Sequence, residues 1–282
     1  MRYLSAVVQL TSTGDVEASL AAAEAGTREA AERGARLVAL PEAVAFLGPE
    51  ALKAGHAEPL GGPICARLSR LAEETETVLL AGSIPERAPD PERPYNTALA
   101  FGPDGRLLGS YRKMHLFDVD LRPEGPELAE SRRTTPGDTA VVVDTPLGRV
   151  GMSVCYDLRF PELYARLVEA DAELIIVPSA FTVPTGAAHW EVLLRARAIE
   201  TQSYVLAAAQ VGHASERRES YGHSLIVDPW GAVIAEAPDG PSVAMAEIDL
   251  DHLRRIRRRM PFRSHRSDAV ARPALVAEPA EA

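Results

Sequence analysis

The chain has 282 residues, and its 46% apolar and 25% charged residues are the balance of an ordinary globular protein. Its 40 acidic and 30 basic residues leave a formal net charge of −10, which argues against a nucleic acid as the main partner. No apolar run reaches the roughly 18 residues of a membrane span, and the first ten residues lack the pattern of a secretory signal. Two cysteines are too few for a disulfide framework. These features predict a cytoplasmic protein that binds neither nucleic acid nor membrane.

Short β-branched runs alternate with alanine-rich helical stretches along the chain, and tight turns join three pairs of short strands into hairpins. In chain order, strands are predicted at residues 3–10, 35–40, 77–84, 96–101, 106–113, 139–145, 148–154, 174–180, 204–210, 223–228, 232–237 and 243–250. Helices are predicted at residues 15–33, 63–76 and 189–202, from Pro161 onward and after residue 250. This order predicts an α/β fold of one domain, with mixed sheets inside and helices outside.

Three side chains of different chemistry each follow directly on a predicted strand. Glu42 comes after the run LVALP, Lys113 after LLGSYR and Cys155 after RVGMSV. Because ligands of open α/β sheets bind beyond the carboxyl ends of strands, these side chains could meet at one rim. Taken singly, each also has an ordinary interpretation: a loop carboxylate, a surface lysine and a small buried residue.

The placement of Cys155 suggests a reactive thiol. It lies between a strand and a helix that begins near Pro161, where the positive end of the helix would favour the thiolate. Cys65 lies on the apolar face of a predicted helix and is expected in the core. Neither cysteine has a partner at the spacing of a zinc site, and no G-x-S-x-G motif follows a strand.

The remaining charged candidates have structural interpretations. His115, His189 and His223 are expected to be structural histidines. The run 254–259 contains five arginines in six residues. On an acidic protein, this run predicts an ion-paired helix face in preference to a nucleic-acid patch.

Three blocks of the sequence closely resemble the signature blocks of the nitrilase (carbon–nitrogen hydrolase) superfamily: LPEA around Glu42, YRKMHLFD around Lys113 and CYDLRFPELY around Cys155. Their order and spacing also fit. The resemblance extends over residues 1–267, as one carbon–nitrogen hydrolase domain, and leaves residues 268–282 as a Pro/Ala-rich tail. It implies a four-layer α-β-β-α sandwich with mixed sheets, assembled as a homodimer or higher homo-oligomer.

The resemblance also implies roles for individual residues. Cys155 would be the nucleophile, Glu42 the general base, and Lys113 would stabilise the oxyanion. The second glutamate of the family matches Glu130, with Glu127 as a weaker candidate. Residues implied in substrate binding are Tyr156, Phe181, Thr182 and Thr185. Candidates to pair with a substrate carboxylate are Arg159, Arg195 and Arg197, each of which could equally serve a structural ion pair. No metal or organic cofactor is implied.

Within the superfamily, residues 178–210 are similar to the Nit branch, and residues 217–231 resemble its amidases of deaminated glutathione more than its ω-amidases. The predicted activity is hydrolysis of a small carboxamide by water to a carboxylate and ammonia, through a cysteine thioester. Deaminated glutathione or a similar ω-amide is the implied substrate. The alternatives are an ω-amidase for α-ketoglutaramate or succinamate, a nitrile hydrolase, and a non-catalytic interaction protein on the same fold.

Overall fold

Two mixed β-sheets form the centre of the computed structural model, which describes residues 1–120, 122, 127–215 and 218–265. Within these residues the strands, in chain order, are β1 (Arg2–Gln9), β2 (Ala35–Ala39), β3 (Val78–Glu86), β4 (Tyr95–Phe101), β5 (Leu107–Arg112), β6 (Asp118–Asp120), β7 (Glu127–Ala129), β8 (Val142–Thr145), β9 (Gly148–Met152), β10 (Leu174–Ile176), β11 (Tyr204–Ala207), β12 (Val211–Ser215), β13 (Arg218–Tyr221), β14 (Leu225–Val227), β15 (Val233–Glu236) and β16 (Ser242–Asp249).

Helices and short 3-10 turns connect these strands. The α-helices of the described residues are α1 (Val16–Glu32), α2 (Pro63–Thr75), α3 (Pro161–Glu169), α4 (Val183–Thr201) and α5 (Leu250–Arg259). The 3-10 turns cover Glu50–His56, Glu130–Arg132, Cys155–Arg159 and Phe262–His265. In this part of the chain, no helix combines the length and the apolar character needed to cross a membrane.

Each sheet has three parallel strands at its centre and antiparallel strands outside them. The strand orders are β16-β1-β2-β3-β4-β5 and β15-β14-β11-β10-β9-β8. The parallel strands are β1-β2-β3 and β9-β10-β11, and α1 to α4 are the crossovers that parallel neighbours require. The hairpins predicted from turn residues are the antiparallel pairs β4-β5, β8-β9 and β14-β15.

The two sheets pack face to face, and helices cover their outer faces. Alternate residues of β3 show the layers: Val78 and Leu80 lie between the sheets, whereas Leu79 and Ala81 pack with the buried residues of α1 and α2. On the other side, α3 and α4 pack against the second sheet. The predicted four-layer α-β-β-α sandwich is therefore confirmed.

Several details differ from the sequence-based expectation. Helix α4 begins six residues earlier than predicted, because Thr182 adopts an extended conformation before the helix and a proline suits its first turn. Strand β10 ends at Ile176, four residues early. The small ribbons β6-β7 and β12-β13 were not predicted at all. Residues 268–282, the predicted tail, lie outside the described residues.

The arginine-rich run lies on helix α5, and two of its five arginines form ion pairs. Arg254 contacts Glu173 and Asp251 at 3.3 and 3.2 Å, and Arg255 contacts Asp249 at 3.4 Å. Helix α5 caps on the Asp249 side chain, which accepts from two backbone N–H groups of its first turn. Arg257 instead donates to the carbonyl oxygens of Gln202 and Ala172, so the predicted ion-paired helix face is confirmed for part of the run.

Gly82 allows the end of β2 to pass close to β3. Its φ is +65°, and a Cβ added there would lie 1.9 Å from the carbonyl oxygen of Pro41. Two backbone hydrogen bonds flank this close approach: Leu40 N–H donates to Leu80 O, and Val44 N–H donates to Ser83 O. Glu42 lies midway between these two bonds, so the close approach at Gly82 helps to set the position of that carboxylate.

We expect Gly82→Ala to lower the free energy of unfolding by at least about 3 kcal/mol, because a backbone clash adds to the strain of positive φ. The matched control is Gly240→Ala, where φ is +80° but no atom lies within 4 Å of the added Cβ. The control should cost only about 1–2 kcal/mol. Urea unfolding of both variants measures the difference, and equal costs would contradict the close approach described here.

Candidate active site

The ends of β2, β5 and β9 open into one cleft, which encloses about 790 Å³ of space, part of it open to solvent. Glu42, Lys113 and Cys155 all line this cleft, together with Glu130. The structure thus brings together the three side chains that follow predicted strands. Each is held at the end of a hydrogen-bonded strand, which gives the group a rigid position.

The carboxylate of Glu42 is buried and accepts three hydrogen bonds. Its Oε1 accepts from Lys113 Nζ at 3.0 Å and from Asn96 Nδ2 at 2.9 Å. Its Oε2 accepts from the backbone N–H of Ala180 at 3.0 Å. Ala180 follows β10 of the second sheet, so this one carboxylate bridges both sheets. Sequence reasoning missed Asn96, whose signal is an amide at the start of a buried strand that pairs with the strand leading to Lys113.

Lys113 lies between two carboxylates. Besides Glu42, its ammonium donates to Glu130 Oε2 at 2.8 Å, and the backbone N–H of Phe117 donates to the same oxygen. Burial alone would lower the pKa of Lys113, but the charges of Glu130 and Glu42 outweigh it and hold this pKa well above its ordinary value. Burial would raise the pKa of Glu130, but the Lys113 ammonium dominates and lowers it to about 2. Lys113 and Glu130 are therefore charged at neutral pH.

Cys155 carries its thiol at a strained turn directly after β9. Its φ is +51°, and its N–H donates to the carbonyl oxygen of Pro178 at 3.0 Å. Burial raises the pKa of the thiol, and the nearby Glu42 carboxylate raises it further; the Lys113 ammonium offsets this only in part. The expected thiolate is wrong: α3 begins at Pro161 as predicted, but the thiol is buried and lies near the Glu42 carboxylate, and both effects favour its protonated form.

Asp157, which sequence reasoning also missed, ties the Lys113 segment to the Cys155 turn. Its fully buried carboxylate accepts from the Tyr111 hydroxyl at 2.8 Å, from His115 N–H at 3.0 Å and from Val154 N–H at 2.9 Å. The His115 ring is also within 2.7 Å of it, as expected for a structural histidine. The available signal was an aspartate two residues after the candidate nucleophile.

A second, smaller recess also borders Cys155. It is lined by Tyr156, Phe181 and Thr185, three of the four residues implied in substrate binding, and by Arg159. Thr182 does not line this recess; its hydroxyl pairs with that of Thr185 at 2.9 Å. In the 3-10 turn after Cys155, the first hydrogen bond runs from Asp157 N–H to Val154 O, so the N–H of Tyr156 is not used within the turn.

The three candidate arginines differ in the groups that they contact. Arg159 lies near the rings of Tyr156 and Phe181, with its guanidinium carbon 5.8 and 5.5 Å from their centres. Arg195 and Arg197 instead donate to backbone carbonyl groups and pair with glutamates on their own helix. These two arginines are structural in this chain.

Two elements that were not predicted complete the cleft. The 3-10 turn Glu50–His56 brings Glu50 and Lys53 to its lining, and β13 brings Arg218. The ribbon β6-β7 leads to Glu130, whereas the weaker candidate Glu127 is exposed and lies 3.4 Å from Arg122.

Comparison with known proteins agrees with this architecture. The family model described as carbon–nitrogen hydrolase matches residues 4–258. A protein of Homo sapiens named deaminated glutathione amidase is 47% identical over 268 residues, which are 93% of this chain and 82% of that protein. Omega-amidase NIT2 of Homo sapiens is 42% identical over 247 residues, or 86% of this chain and 88% of that protein.

A solved structure shows the same fold. Nit3 of Saccharomyces cerevisiae, described as a member of branch 10 of the nitrilase superfamily, superposes with a TM-score of 0.83 and 33% sequence identity. The superposition covers 92% of this chain and 94% of that one. The chain therefore belongs to the carbon–nitrogen hydrolase family of the nitrilase superfamily, and it is a hydrolase of carbon–nitrogen bonds other than peptide bonds.

Proposed function

We propose that this chain is an amidase in which Cys155 is the nucleophile and Glu42 the general base. One observation carries this proposal: Cys155 and the buried Glu42 carboxylate line the same cleft, and the charge of that carboxylate raises the pKa of the thiol. A protonated thiol is a poor nucleophile, so a base beside it is the feature that makes attack feasible.

In the first half of the reaction, Glu42 takes the thiol proton as the sulfur of Cys155 attacks the amide carbon. The tetrahedral intermediate carries its negative charge on the former carbonyl oxygen. Glu42 then returns the proton to the nitrogen, the carbon–nitrogen bond breaks, and the amine leaves a thioester behind. This half of the reaction transfers the thiol proton to the leaving nitrogen and requires no oxidant or reductant.

In the second half, water replaces the amine. Glu42 takes one proton from a water molecule whose oxygen attacks the thioester carbon. The second tetrahedral intermediate expels the sulfur, which recovers the proton from Glu42, and the carboxylic acid departs. The oxyanion of both intermediates needs fixed donors, and these are the Lys113 ammonium and the N–H of Tyr156.

Glu130 keeps Lys113 charged and in place. If Glu42 were the only carboxylate beside it, Lys113 would lose its negatively charged partner whenever Glu42 gains a proton during the cycle. The second carboxylate, 2.8 Å from the same nitrogen, stays ionised throughout because the pKa of Glu130 lies near 2. Lys113 therefore remains available to the oxyanion at each step.

For the substrate, we propose deaminated glutathione, since the human protein of that specificity is 47% identical over nearly the whole chain. The bond broken is its γ-amide, so for this substrate the leaving amine is cysteinylglycine and not the ammonia expected from the sequence. The second candidate is an ω-amide such as α-ketoglutaramate, from which ammonia leaves; the 42% identity to omega-amidase NIT2 supports it. Arg159, beside the recess, is available for a carboxylate on the acyl side of either substrate.

Both candidate substrates release α-ketoglutarate, so one assay compares them. Purified protein is offered each amide at equal concentration, and α-ketoglutarate is measured, with Cys155→Ala as the blank. A preference for deaminated glutathione supports the first candidate, and a preference for α-ketoglutaramate supports the second. Release of α-ketoglutarate by the blank would overturn the role of Cys155, and silence of the wild type on both would overturn both substrates.

We further propose that two copies associate through an exposed apolar face on α4 and the β14-β15 turn. Val192, Ile199 and Trp230 are 69, 45 and 63% exposed. Val192 and Ile199 lie two helical turns apart, and Ile199 packs against Gly231, next to Trp230. A contiguous apolar surface of this kind is typical of an interface.

A reducing, cytoplasmic location follows from the need to keep Cys155 a thiol.

The two cysteines provide a matched test of the nucleophile. Cys155→Ser should lower kcat by at least about 10³-fold, because a hydroxyl of much higher pKa replaces the thiol. Cys65 is equally buried, on α2 and outside the cleft. Cys65→Ser should keep kcat within about twofold of the wild type, with similar circular dichroism for both variants. Comparable losses in the two variants would contradict the assignment.

Glu130 should stabilise the protein in a pH-dependent way. Its pKa falls from the usual 4.5 to about 2 on folding, so its contribution is complete above pH 4.5 and disappears as the pH falls towards 2. Glu130→Gln should therefore cost about 2 kcal/mol at pH 7 and much less at pH 3. Urea unfolding at both pH values measures this change. Glu127→Gln, an exposed neighbour, is the control, and a cost for Glu130→Gln that does not depend on pH would contradict the ion pair.

The proposed interface predicts the mass in solution. Val192→Glu places a charge at the centre of the apolar face and should convert the dimer to a monomer, because an unpaired buried charge costs several kcal/mol. Light scattering coupled to gel filtration measures the mass. Leu107→Glu, an exposed apolar residue of β5, should leave the mass unchanged. A monomeric wild type, or a dimer that survives Val192→Glu, would show that this face is not the interface.

A further inference from the structure

We propose that Arg218, with Lys53, binds a carboxylate on the leaving amine of the substrate at the outer end of the cleft. In the free enzyme, the Glu50 carboxylate forms ion pairs with both cations. This inference rests on the proposed amidase function and adds to it the place and the charge of the leaving group. Arg218 then determines specificity and is not a catalytic residue.

The outer cluster, defined as Glu50, Lys53 and Arg218, is built from two separate elements. Glu50 Oε1 lies 3.0 Å from Arg218 Nη1, and Glu50 Oε2 lies 4.0 Å from Lys53 Nζ. Lys53 also donates to the Thr134 hydroxyl at 2.8 Å. The side chains of Lys53 and Arg218 are 14 and 31% exposed, so both cations are partly removed from water. All three members of the cluster line the cleft that contains Cys155.

The charges along the cleft are unequal. At its inner end, Glu42, Glu130 and Lys113 sum to one negative charge beside a neutral thiol. The outer cluster has one carboxylate and two cations, and so carries one positive charge. A carboxylate on the leaving amine is therefore attracted to the outer cluster and repelled from the groups around Glu42 and Glu130.

The position of Glu42 decides which part of the substrate faces the outer cluster. Glu42 must protonate the leaving nitrogen, and it lines the larger cleft but not the recess of Tyr156, Phe181 and Thr185. The leaving amine therefore extends into the larger cleft, and the acyl group lies on the side of the recess. An amine that ends in a carboxylate shares this cleft with Arg218 and Lys53 and offers them a charged partner, whereas ammonia offers none.

Glu50 has a different role from the two cations. It satisfies them while the cleft is empty, which avoids leaving two partly buried cations unpaired. An incoming carboxylate has to compete with it. Removal of the Glu50 charge should therefore strengthen binding of a carboxylate-bearing amine, which is opposite to the effect of removing Arg218. Lys53 is less suitable for a test, because its charge also lowers the pKa of Glu130.

The test compares kcat/KM for deaminated glutathione and for α-ketoglutaramate. Arg218→Gln should lower the value for deaminated glutathione about tenfold, mainly through KM, as for loss of a charge-assisted hydrogen bond. Its value for α-ketoglutaramate should stay within about twofold. Glu50→Gln should lower KM for deaminated glutathione only. Arg28→Gln, which removes an exposed arginine paired with Glu74 far from the cleft, is the control for loss of positive charge.

A substrate variant separates charge from shape. Deaminated glutathione whose glycine carboxylate is a methyl ester should be a poorer substrate of the wild type by the same factor as Arg218→Gln, and Arg218→Gln should not discriminate between ester and acid. Equal losses on both amides, or none on deaminated glutathione, would overturn the inference while leaving the amidase intact. A wild type that hydrolyses neither amide would overturn the proposed function itself, so the two failures are distinguishable.

Discussion

The buried carboxylate of Glu42 is the interaction on which the site depends. It accepts hydrogen bonds from Lys113 and Asn96 of the first sheet and from Ala180 of the second, and so closes the rim between the sheets. A carboxylate removed from water requires such partners, since an unpaired buried charge is strongly destabilising. Lys113, the cation paired with Glu42, is itself buried and forms a second ion pair with Glu130. The requirement for charge balance thus explains why three ionised groups occur together at one end of the sandwich.

The same carboxylate explains the state of the thiol. Cysteine nucleophiles beside a histidine or a helix end are activated by a lowered pKa. Here the pKa is raised, because Cys155 is buried and faces a negative charge. In the proposed mechanism, this raised pKa keeps the proton on sulfur until Glu42 accepts it and delivers it to the leaving nitrogen. A site of this kind couples proton removal to attack, and it protects the resting thiol from other electrophiles.

The proposed catalytic groups and the proposed specificity cluster come from different parts of the fold. Glu42, Lys113 and Cys155 follow strands of the two main sheets, whose hydrogen bonds restrict their positions. The outer cluster of Glu50, Lys53 and Arg218 comes from a 3-10 turn and from an edge ribbon, β12-β13. Such segments carry little of the core and can vary without disturbing the sheets. This separation allows one sandwich to support one reaction on amides with different leaving groups.

The sequence by itself predicted most strands and helices of the sandwich and the placement of Glu42, Lys113 and Cys155 after strands, because alternation of apolar residues, turn glycines and strand ends are local signals. It also led to the family through the blocks around Glu42, Lys113 and Cys155. It did not predict Asn96, Asp157 or Arg218 at the site, nor the raised pKa of Cys155. These residues are distant in the chain and meet only when the sheets pack. The raised pKa of Cys155 depends on burial and on the nearby charge of Glu42, which exist only in the tertiary structure.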